Sequence, residues 1–388
     1  MKHYNAIIIG GGASGVMCAL TTKNKSVAII DKNTKLAKKI MVTGNGRCNL
    51  SNENMSSSFY NVNIDKYLNE FNVHDTLDFF SGLGLCTYAD SEGRIYPLSN
   101  SAKSVVDCFD LHVPKTVDKI LGETVLNIEV QNEMYIVTTN KNVYSCKKLV
   151  IATAYSEIIE SLKKLGVLFV AFRPSLVALK CRDIAGLNGI KLSGVKVTAK
   201  TNMGKTKTDK GEVLFKDDGV SGIVVFNLST LFSRDNGFDG TISIDMLPNI
   251  SLDKLEKLLT ERKSLGVKLD KFFTGMFLPA VANEIFMKAK INTNINSVDI
   301  TQKDIKALAM VIKNLEYRVC GHYDNYQVFT GGVSLKDLSF ELMHKRLKNL
   351  YFIGEICDVD GECGGYNLQW AWTSGKIVGD SLWLNLNK

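Results

Sequence analysis

Two glycine-rich segments at opposite ends of the chain constrain the fold most, because both carry the marks of a nucleotide cradle. The first is Gly10-Gly11-Gly12-Ala13-Ser14-Gly15, entered from the apolar run Ala6 to Ile9. The second is Gly354-Glu355-Ile356-Cys357-Asp358-Val359-Asp360-Gly361, followed by Gly364-Gly365-Tyr366-Asn367-Leu368-Gln369. In the first, Gly10-x-Gly12-x-x-Gly15 reads as a strand-to-helix turn. Gly10 permits the turn, Gly12 lets a pyrophosphate reach the backbone, and Gly15 lets the helix pack on the strand. The spacing predicts a strand over 6–9 and a helix over 16–22, whose free N–H groups and positive dipole end face the phosphates. A second strand, 27–30, ends in Asp31 about twenty residues after the first glycine, where an acid accepts ribose hydroxyls. A carboxylate there disfavours a 2′-phosphate and so disfavours NADP at this site. The competing structural reading is a glycine-rich turn with Asp31 as an ordinary turn residue.

Around this fingerprint the texture changes along the chain. Lys38 to Asn52 combines small residues and amides with Arg47 and suits a loop wrapped around a polyanion. Residues 64–82 and 101–111 carry helical periodicity. Two or three strands alternate over 124–150, and 149–154 reads as a buried strand leading into a small-residue turn. Residues 176–250 read as an inserted β-rich domain and 251–318 as a lysine-rich helical subdomain. The strand over 350–353 ends at Gly354-Glu355, and a helix is expected over 369–382. Glu355 is placed to bind a polyol hydroxyl. The backbone N–H groups at the start of that last helix are placed to hold the electron-rich edge of a flavin ring. A glycine-capped packing helix is the structural alternative. Residues 1–175 and 319–388 are therefore expected to form one discontinuous FAD-binding domain.

Composition sets limits. The 388 residues suffice for two or three domains. No apolar run reaches membrane-spanning length, and no secretory signal precedes the first strand. The nine cysteines form no C-x-x-C pair, which argues against zinc and dithiol-relay chemistry and for reduced thiols in a cytoplasmic protein. Cys357 and Cys363 leave a redox pair as a minor alternative. The net charge of +7 reads as scattered, solvated lysine, without the aromatic interleaving of a nucleic-acid surface. No metal site is expected, no membrane partner, and nucleic acid is disfavoured. The sequence leaves the oligomeric state open.

With these residues in place, the chain resembles a bacterial FAD-dependent flavoprotein family that includes aminoacetone-oxidase-like proteins and BaiN-like reductases. The match rests on Thr43-Gly-Asn-Gly-Arg-Cys-Asn-Leu-Ser-Asn52, Gly93-Arg-Ile-Tyr-Pro-Leu-Ser99, Thr330-Gly-Gly-Val333 and Gly354 to Gln369. The resemblance implies an α/β, Rossmann-like FAD-binding domain of the two-dinucleotide-binding type, with an inserted β-barrel-like domain and a helical subdomain. It places FAD contacts at Gly10, Gly12, Ala13, Ser14, Gly15 and Asp31, then at Gly46, Arg47, Cys48 and Asn49. At the far end it places them at Glu355, Gly364, Gly365, Tyr366, Asn367 and Leu368. Lys32, Lys39, Gly44, Val125, Ala152, Thr153, Gly354 and Asp360 complete the candidate set. Two departures stand out. The family's Ala-Thr-Gly-Gly and the loop after it are here Ala152-Thr153-Ala154-Tyr155, with helix-like residues from Ser156. The family's Phe-Thr-His is here Phe215-Lys216-Asp217, so no histidine role transfers.

The expected activity is an FAD-dependent oxidoreductase exchanging hydride between a small organic substrate and flavin N5. Arg94 and Arg47 are candidates to orient an anionic or carbonyl group. Tyr96 and Tyr366 are candidates for stacking or proton relay. An NAD(P)H-linked reductase and an O₂-using oxidase of an amine or ketone-type substrate compete within this class. No second GxGxxG supplies a separate nicotinamide domain. A flavin-bearing RNA-binding or RNA-modifying protein is the alternative from another class, and a flavin-binding protein with little turnover is a third.

Overall fold

The structure, a computed structural model, describes residues 1–24, 26–154, 157–235 and 237–384. The chain divides into two compact units, Met1–Arg173 with Val328–Lys388, and Pro174–Gln327.

The first unit is built on a seven-stranded sheet. Strand Lys2–Ile9 lies at its centre, parallel to Val27–Asp31 on one side and Val143–Ile151 on the other. Val117–Leu121 extends the parallel part beyond Val27–Asp31. An antiparallel hairpin, Val125–Gln131 with Met134–Thr139, extends the opposite side. Leu350–Phe352, from the far end of the chain, pairs in parallel with Leu149, Val150 and Ile151. Ile7, Ile8, Val27 to Ile29 and Leu149 to Ile151 are fully buried. Parallel strands covered on both faces need such unbroken apolar runs rather than alternation.

The first helix is Ala13–Thr21, three residues earlier than the periodicity suggested, because Gly12 serves as its extended N-cap. The segment read as one helix over 64–82 is two, Asp65–Leu68 and Val73–Gly82. Asn72 restarts the helix: its side chain accepts the N–H groups of His74 and Asp75, and Asp75 accepts the N–H of Asn72. The last helix is Tyr366–Leu384 and packs along Ala13–Thr21. The contact runs over Gly375 and Gly379. A Cβ on Gly375 would lie 2.5 Å from the carbonyl oxygen of Ser14, and one on Gly379 would lie 2.0 Å from Thr21 Oγ1. Buried Lys148 donates to the carbonyl of Leu382 at 2.9 Å and ties the far end of this helix to the central sheet. Burial lowers the pKa of this lysine.

The second unit contains a closed barrel of six strands. In order around it these are Leu179–Arg182, Gly219–Ser221, Thr206–Lys216, Lys191–Thr201, Gly240–Asp245 and Leu315–His322. Helices Ile223–Arg234, Leu252–Lys263, Pro279–Ala289 and Gln302–Lys313 share one apolar core with the barrel. The β-rich and helical stretches are thus packed around a common interior rather than as separate domains. Leu315–His322 closes the barrel, so residues 319–322 are barrel strand and not the start of the returning nucleotide domain. Sequence pattern missed this because a single edge of alternating residues does not announce its partners. Of the two departures from the family pattern, Tyr155 and Ser156 lie outside the described residues, and helix Ile159–Lys164 follows them.

Two measurements test this packing. Gly379→Val should destabilise the protein by about 1–3 kcal/mol in urea denaturation, since overpacking a closed helix contact forces backbone shifts. Asp380→Ala, on the exposed side of the same helix, should stay within about 0.5 kcal/mol of the parent. The second concerns His344, which is buried, its Nδ1 accepting the N–H groups of Arg346 and Leu347. Burial first, and then the charge of Arg346, hold the imidazole below its ordinary value of 6.5. The unfolded chain therefore binds this proton more readily. His344's contribution is complete above pH 6.5 and declines as pH falls from there towards its folded pKa. Urea midpoints measured downward from neutrality should fall more steeply for the parent than for His344→Gln.

Candidate active site

The two glycine segments meet. A Cβ on Gly354 would lie 2.4 Å from Ser14 Oγ, so the strand end at 354 touches the first helix at its opening turn. Gly10 has φ +108° and would press a Cβ to 2.7 Å from the carbonyl oxygen of Ala152. Ala152 and Thr153 thus lie against the first turn. Gly15 would place a Cβ 1.9 Å from the carbonyl oxygen of Gly10. Gly12 differs: a Cβ there meets no heavy atom within 4 Å. Two of the three fingerprint glycines are required by the protein's own packing, and Gly12 borders open space at the start of helix Ala13–Thr21. That space is where a phosphate group meets a helix N-terminus.

Asp31 ends its strand with Oδ2 accepting the N–H of Gly11 at 2.6 Å. Its Oδ1 accepts from the backbone and side chain of Asn33 at 2.7 and 2.8 Å. A carboxylate accepts about four hydrogen bonds, which leaves capacity for a ribose hydroxyl. Lys32 beside it is exposed. The segment leading into strand Val125–Gln131 passes this point, with the N–H of Glu123 donating to the carbonyl of Asp31, and Val125 follows as a buried residue.

The loop 38–52 joins the two ends. Lys39 pairs with Glu355 at 2.9 Å, but its side chain is 56% exposed, so the pair contributes under about 1 kcal/mol. Glu355 also accepts the N–H of Phe329 at 2.8 Å. Each oxygen of this acid is engaged once, which leaves capacity for a polyol hydroxyl. Gly44 and Gly46 have positive φ, and a Cβ on Gly44 would lie 2.7 Å from the N of Asn49. Cys48 is buried with φ +62°, and burial pushes its thiol up to about 12, so it carries no thiolate. None of the nine cysteines is joined in a disulfide in this structure, Cys357 and Cys363 included. Asn49 keeps a buried Oδ1 with no hydrogen-bond partner.

Beyond the loop, the match between 49–52 and 364–373 is made by buried hydrogen bonds. Ser51 donates to Gln369 at 2.7 Å, and Gln369 donates on to Thr76 at 2.8 Å and Thr373 at 3.1 Å. Asn52 donates to the carbonyl of Gly364 at 3.0 Å, and Trp372 to the carbonyl of Leu50 at 2.9 Å. Gly365, φ +100°, brings its backbone so close that a Cβ would lie 2.3 Å from the carbonyl oxygen of Ser51. Each such buried bond contributes about 1 kcal/mol net and several times that is lost if one partner is left stranded. Ser51 and Asn52 end the Thr43–Asn52 motif but are not singled out by it as contacts, and Thr76 carries no signal beyond its helix.

The candidate side chains separate into distinct roles. Arg94 is held by Asp90 at 2.8 Å and Glu92 at 3.1 Å, which cancels its charge and removes it as an anchor for an anion. Desolvation opposes the shift, but the hydrogen bond to Asp90 leaves the Arg94 pKa raised and the Asp90 pKa lowered. Arg47 lies over the ring of Tyr96, 4.3 Å from its centroid, with Nη2 3.3 Å from the hydroxyl and Nε 3.3 Å from the carbonyl of Gly44. Among the described residues Arg47 has no carboxylate partner, unlike Lys39 and Arg94. Tyr96 is buried, and burial raises its pKa, so at neutral pH it is a donor and not a base. Tyr366 stacks on Phe59 at 4.4 Å and lies edge-on to Tyr60, whose hydroxyl donates to its carbonyl at 2.7 Å. Burial pushes Tyr366 up to about 12. This packing fixes the opening turn of the last helix and disfavours a proton-relay role. Asn367 spends its amide on the backbone of Gly361 and Glu362, closing the loop before the helix. Asp360 is buried and brackets Asn61 through its backbone. Leu368, half-buried, completes the turn.

The donor set fits FAD: two helix openings, an unpaired guanidinium, an acid at the second strand end, an orphaned amide oxygen and an open glycine. A Rossmann sheet with these features defines an FAD-dependent oxidoreductase. Residues 4–381 match the family model described as HI0933-like protein Rossmann domain, and the chain belongs to that family. It is 29% identical over 406 residues to 3-dehydro-bile acid delta(4,6)-reductase of Clostridium scindens, covering 96% of this chain and 97% of the relative. It is 27% identical over 402 residues to ribosomal RNA dihydrouridine synthase of Haemophilus influenzae, covering 96% and 97%. The Escherichia coli protein of that name is also 27% identical over 402 residues, covering 98% of both. No described helix is long and apolar enough to cross a membrane.

The glycine geometry separates folding from cofactor binding. Gly12→Val should fold with the thermal stability of the flavin-free parent yet purify with little flavin, whereas Gly15→Val should fail to accumulate as folded protein. Flavin absorbance per protein and a thermal melt read both outcomes.

Proposed function

We propose that this protein reduces a carbon–carbon double bond conjugated to a carbonyl group, with electrons supplied by NAD(P)H. The observation that carries this reading is the near full-length likeness to relatives named for such chemistry. One is named for reducing delta(4,6) bonds of a 3-dehydro-bile acid, the others for making dihydrouridine in ribosomal RNA. In both, a ring double bond in conjugation with a carbonyl gains two hydrogens. When bound, FAD supplies the hydride donor such a reaction needs.

In this reading Gly10, Gly12 and the opening turn of helix Ala13–Thr21 receive the pyrophosphate, and Asp31 receives the ribose. The start of helix Tyr366–Leu384 and Asn49 face the flavin. Arg47, free of any acid, polarises the substrate carbonyl, and Tyr96 holds the guanidinium in place through its ring and hydroxyl. Water exclusion is provided by the aromatic packing of Phe59, Tyr60 and Tyr366.

Anaerobic stopped-flow spectroscopy tests the reading. NADH or NADPH should bleach the flavin, and a conjugated cyclic ketone should restore its colour faster than air-saturated buffer does. Faster recovery with air, or bleaching by a saturated amine, would favour an oxidase instead. Arg47→Met should lower kcat/KM on the order of a hundredfold at unchanged flavin content. Loss of flavin at an unchanged rate per bound flavin would make Arg47 a cofactor ligand only.

A further inference from the structure

We propose that the outer face of the six-stranded barrel docks the phosphate backbone of structured RNA. This deepens the reductase reading, in the form where the reducible ring belongs to a nucleotide. The Pro174–Gln327 unit carries 22 Lys and Arg against 17 Asp and Glu, so most of the chain's excess positive charge lies in it. Strand register decides where that charge goes. Val195, Val197, Ala199, Ile242, Ile244 and Tyr317 point inward and are buried. Their neighbours alternate outward, as the two-residue period requires.

The outward positions form rows across the strands. In one row Lys200 stands opposite Thr206 and Thr241, Thr241 opposite Arg318, and Arg318 opposite Arg182. In another, Lys196 stands between Lys210 and Asp245. The row between these carries the hydroxyls of Thr198, Thr208 and Ser243, with Thr198 and Thr208 in contact at 2.9 Å. Lys196, Lys200, Lys210, Arg182 and Arg318 are all exposed. The acids on this face are Asp245, Asp239, Glu212, which Lys191 takes at 2.6 Å, and Glu316, which stands opposite Ser243 at the end of the hydroxyl row. Asp245 is taken by Lys313 at 2.7 Å, and Asp239 lies 3.5 Å from Arg318. Among the described residues, Lys196, Lys200, Lys210 and Arg182 form no ion pair.

Two like-charged pairs therefore stand directly opposite one another, Lys196 with Lys210 and Arg182 with Arg318. Such pairs destabilise a sheet by themselves. They become favourable when a polyanion lies across them. The two cationic rows are about 13 Å apart along the strands, with a strip of hydroxyl groups between. Lysine and arginine neutralise phosphates, and hydroxyls hydrogen-bond phosphate oxygens and the 2′-hydroxyl groups that RNA presents. These rows expose no aliphatic or aromatic side chain, which disfavours a membrane surface. The sequence reading assigned the positive charge to scattered solvated lysine. The barrel gathers it because residues far apart in the chain share one register.

The test is an anisotropy titration of the oxidised, full-length flavoprotein with a transcribed ribosomal RNA stem-loop. It uses no turnover, so it fails or succeeds separately from the reductase assay. Affinity should fall steeply from about 50 to 200 mM salt. Lys196→Gln, Lys200→Gln and Lys210→Gln together should weaken binding at least tenfold and reduce the log–log salt slope by about 2 to 3. The same three positions changed to Arg should restore both, and flavin content and NAD(P)H bleaching should be unchanged in either variant. Absence of binding at low salt, equal binding by the Gln variant, or preference for phosphatidylglycerol vesicles over RNA would each overturn the proposal.

Discussion

The close approach of the helices Ala13–Thr21 and Tyr366–Leu384 is the constraint on which the nucleotide unit depends. Gly354, Gly375 and Gly379 leave no room for a Cβ between the C-terminal segment and the first helix. The same contact aligns both helix openings at one end of the sheet, because Leu350–Phe352 enters in parallel beside Val143–Ile151. Two positive helix ends and two sets of free N–H groups are thereby brought to one place. Neither end of the chain can build this alone.

The polar joint between loop 44–52 and the last helix makes that arrangement specific. Gln369 has several hydrogen-bonding neighbours in a fully buried setting, so a shift of register would strand them. The exposed Lys39–Glu355 pair spans the same two segments but contributes far less, since water competes for both charges. The glycine positions divide in the same spirit. Gly10, Gly15 and Gly365 are demanded by backbone packing and Gly354 by the Ser14 side chain, while Gly12 faces open space. A site where most motif residues serve the scaffold and a few face the ligand explains why a motif match names a fold more readily than it names contacts.

The second unit raises a different question of legibility. Most of its strands and helices are visible as alternation or periodicity, but 315–318 reads with the helical stretch, and the division into two subdomains is not what the packing gives. Residues 176–322 surround a single apolar interior, and the strand at 315–322 was invisible as a barrel member because its partners lie far away in sequence. Charge behaved alike. A lysine every few residues looks dispersed along the chain, and only the cross-strand register shows which of them stand side by side.

The sequence by itself determined the Rossmann core, the FAD class of chemistry and most of the glycine positions, because these rest on local rules of turn geometry, helix capping and strand hydrophobicity. Arg47 as the cation without an acid partner, Arg94 as a neutralised one, and Asn367 as a loop clasp were decided only by tertiary structure. Which charge meets which, and which polar atom is left without a partner, depends on how the folded backbone aims each side chain: a turn brings Asp90 and Glu92 onto Arg94, and the sheet brings Tyr96 under Arg47. No spacing along a chain encodes that directly.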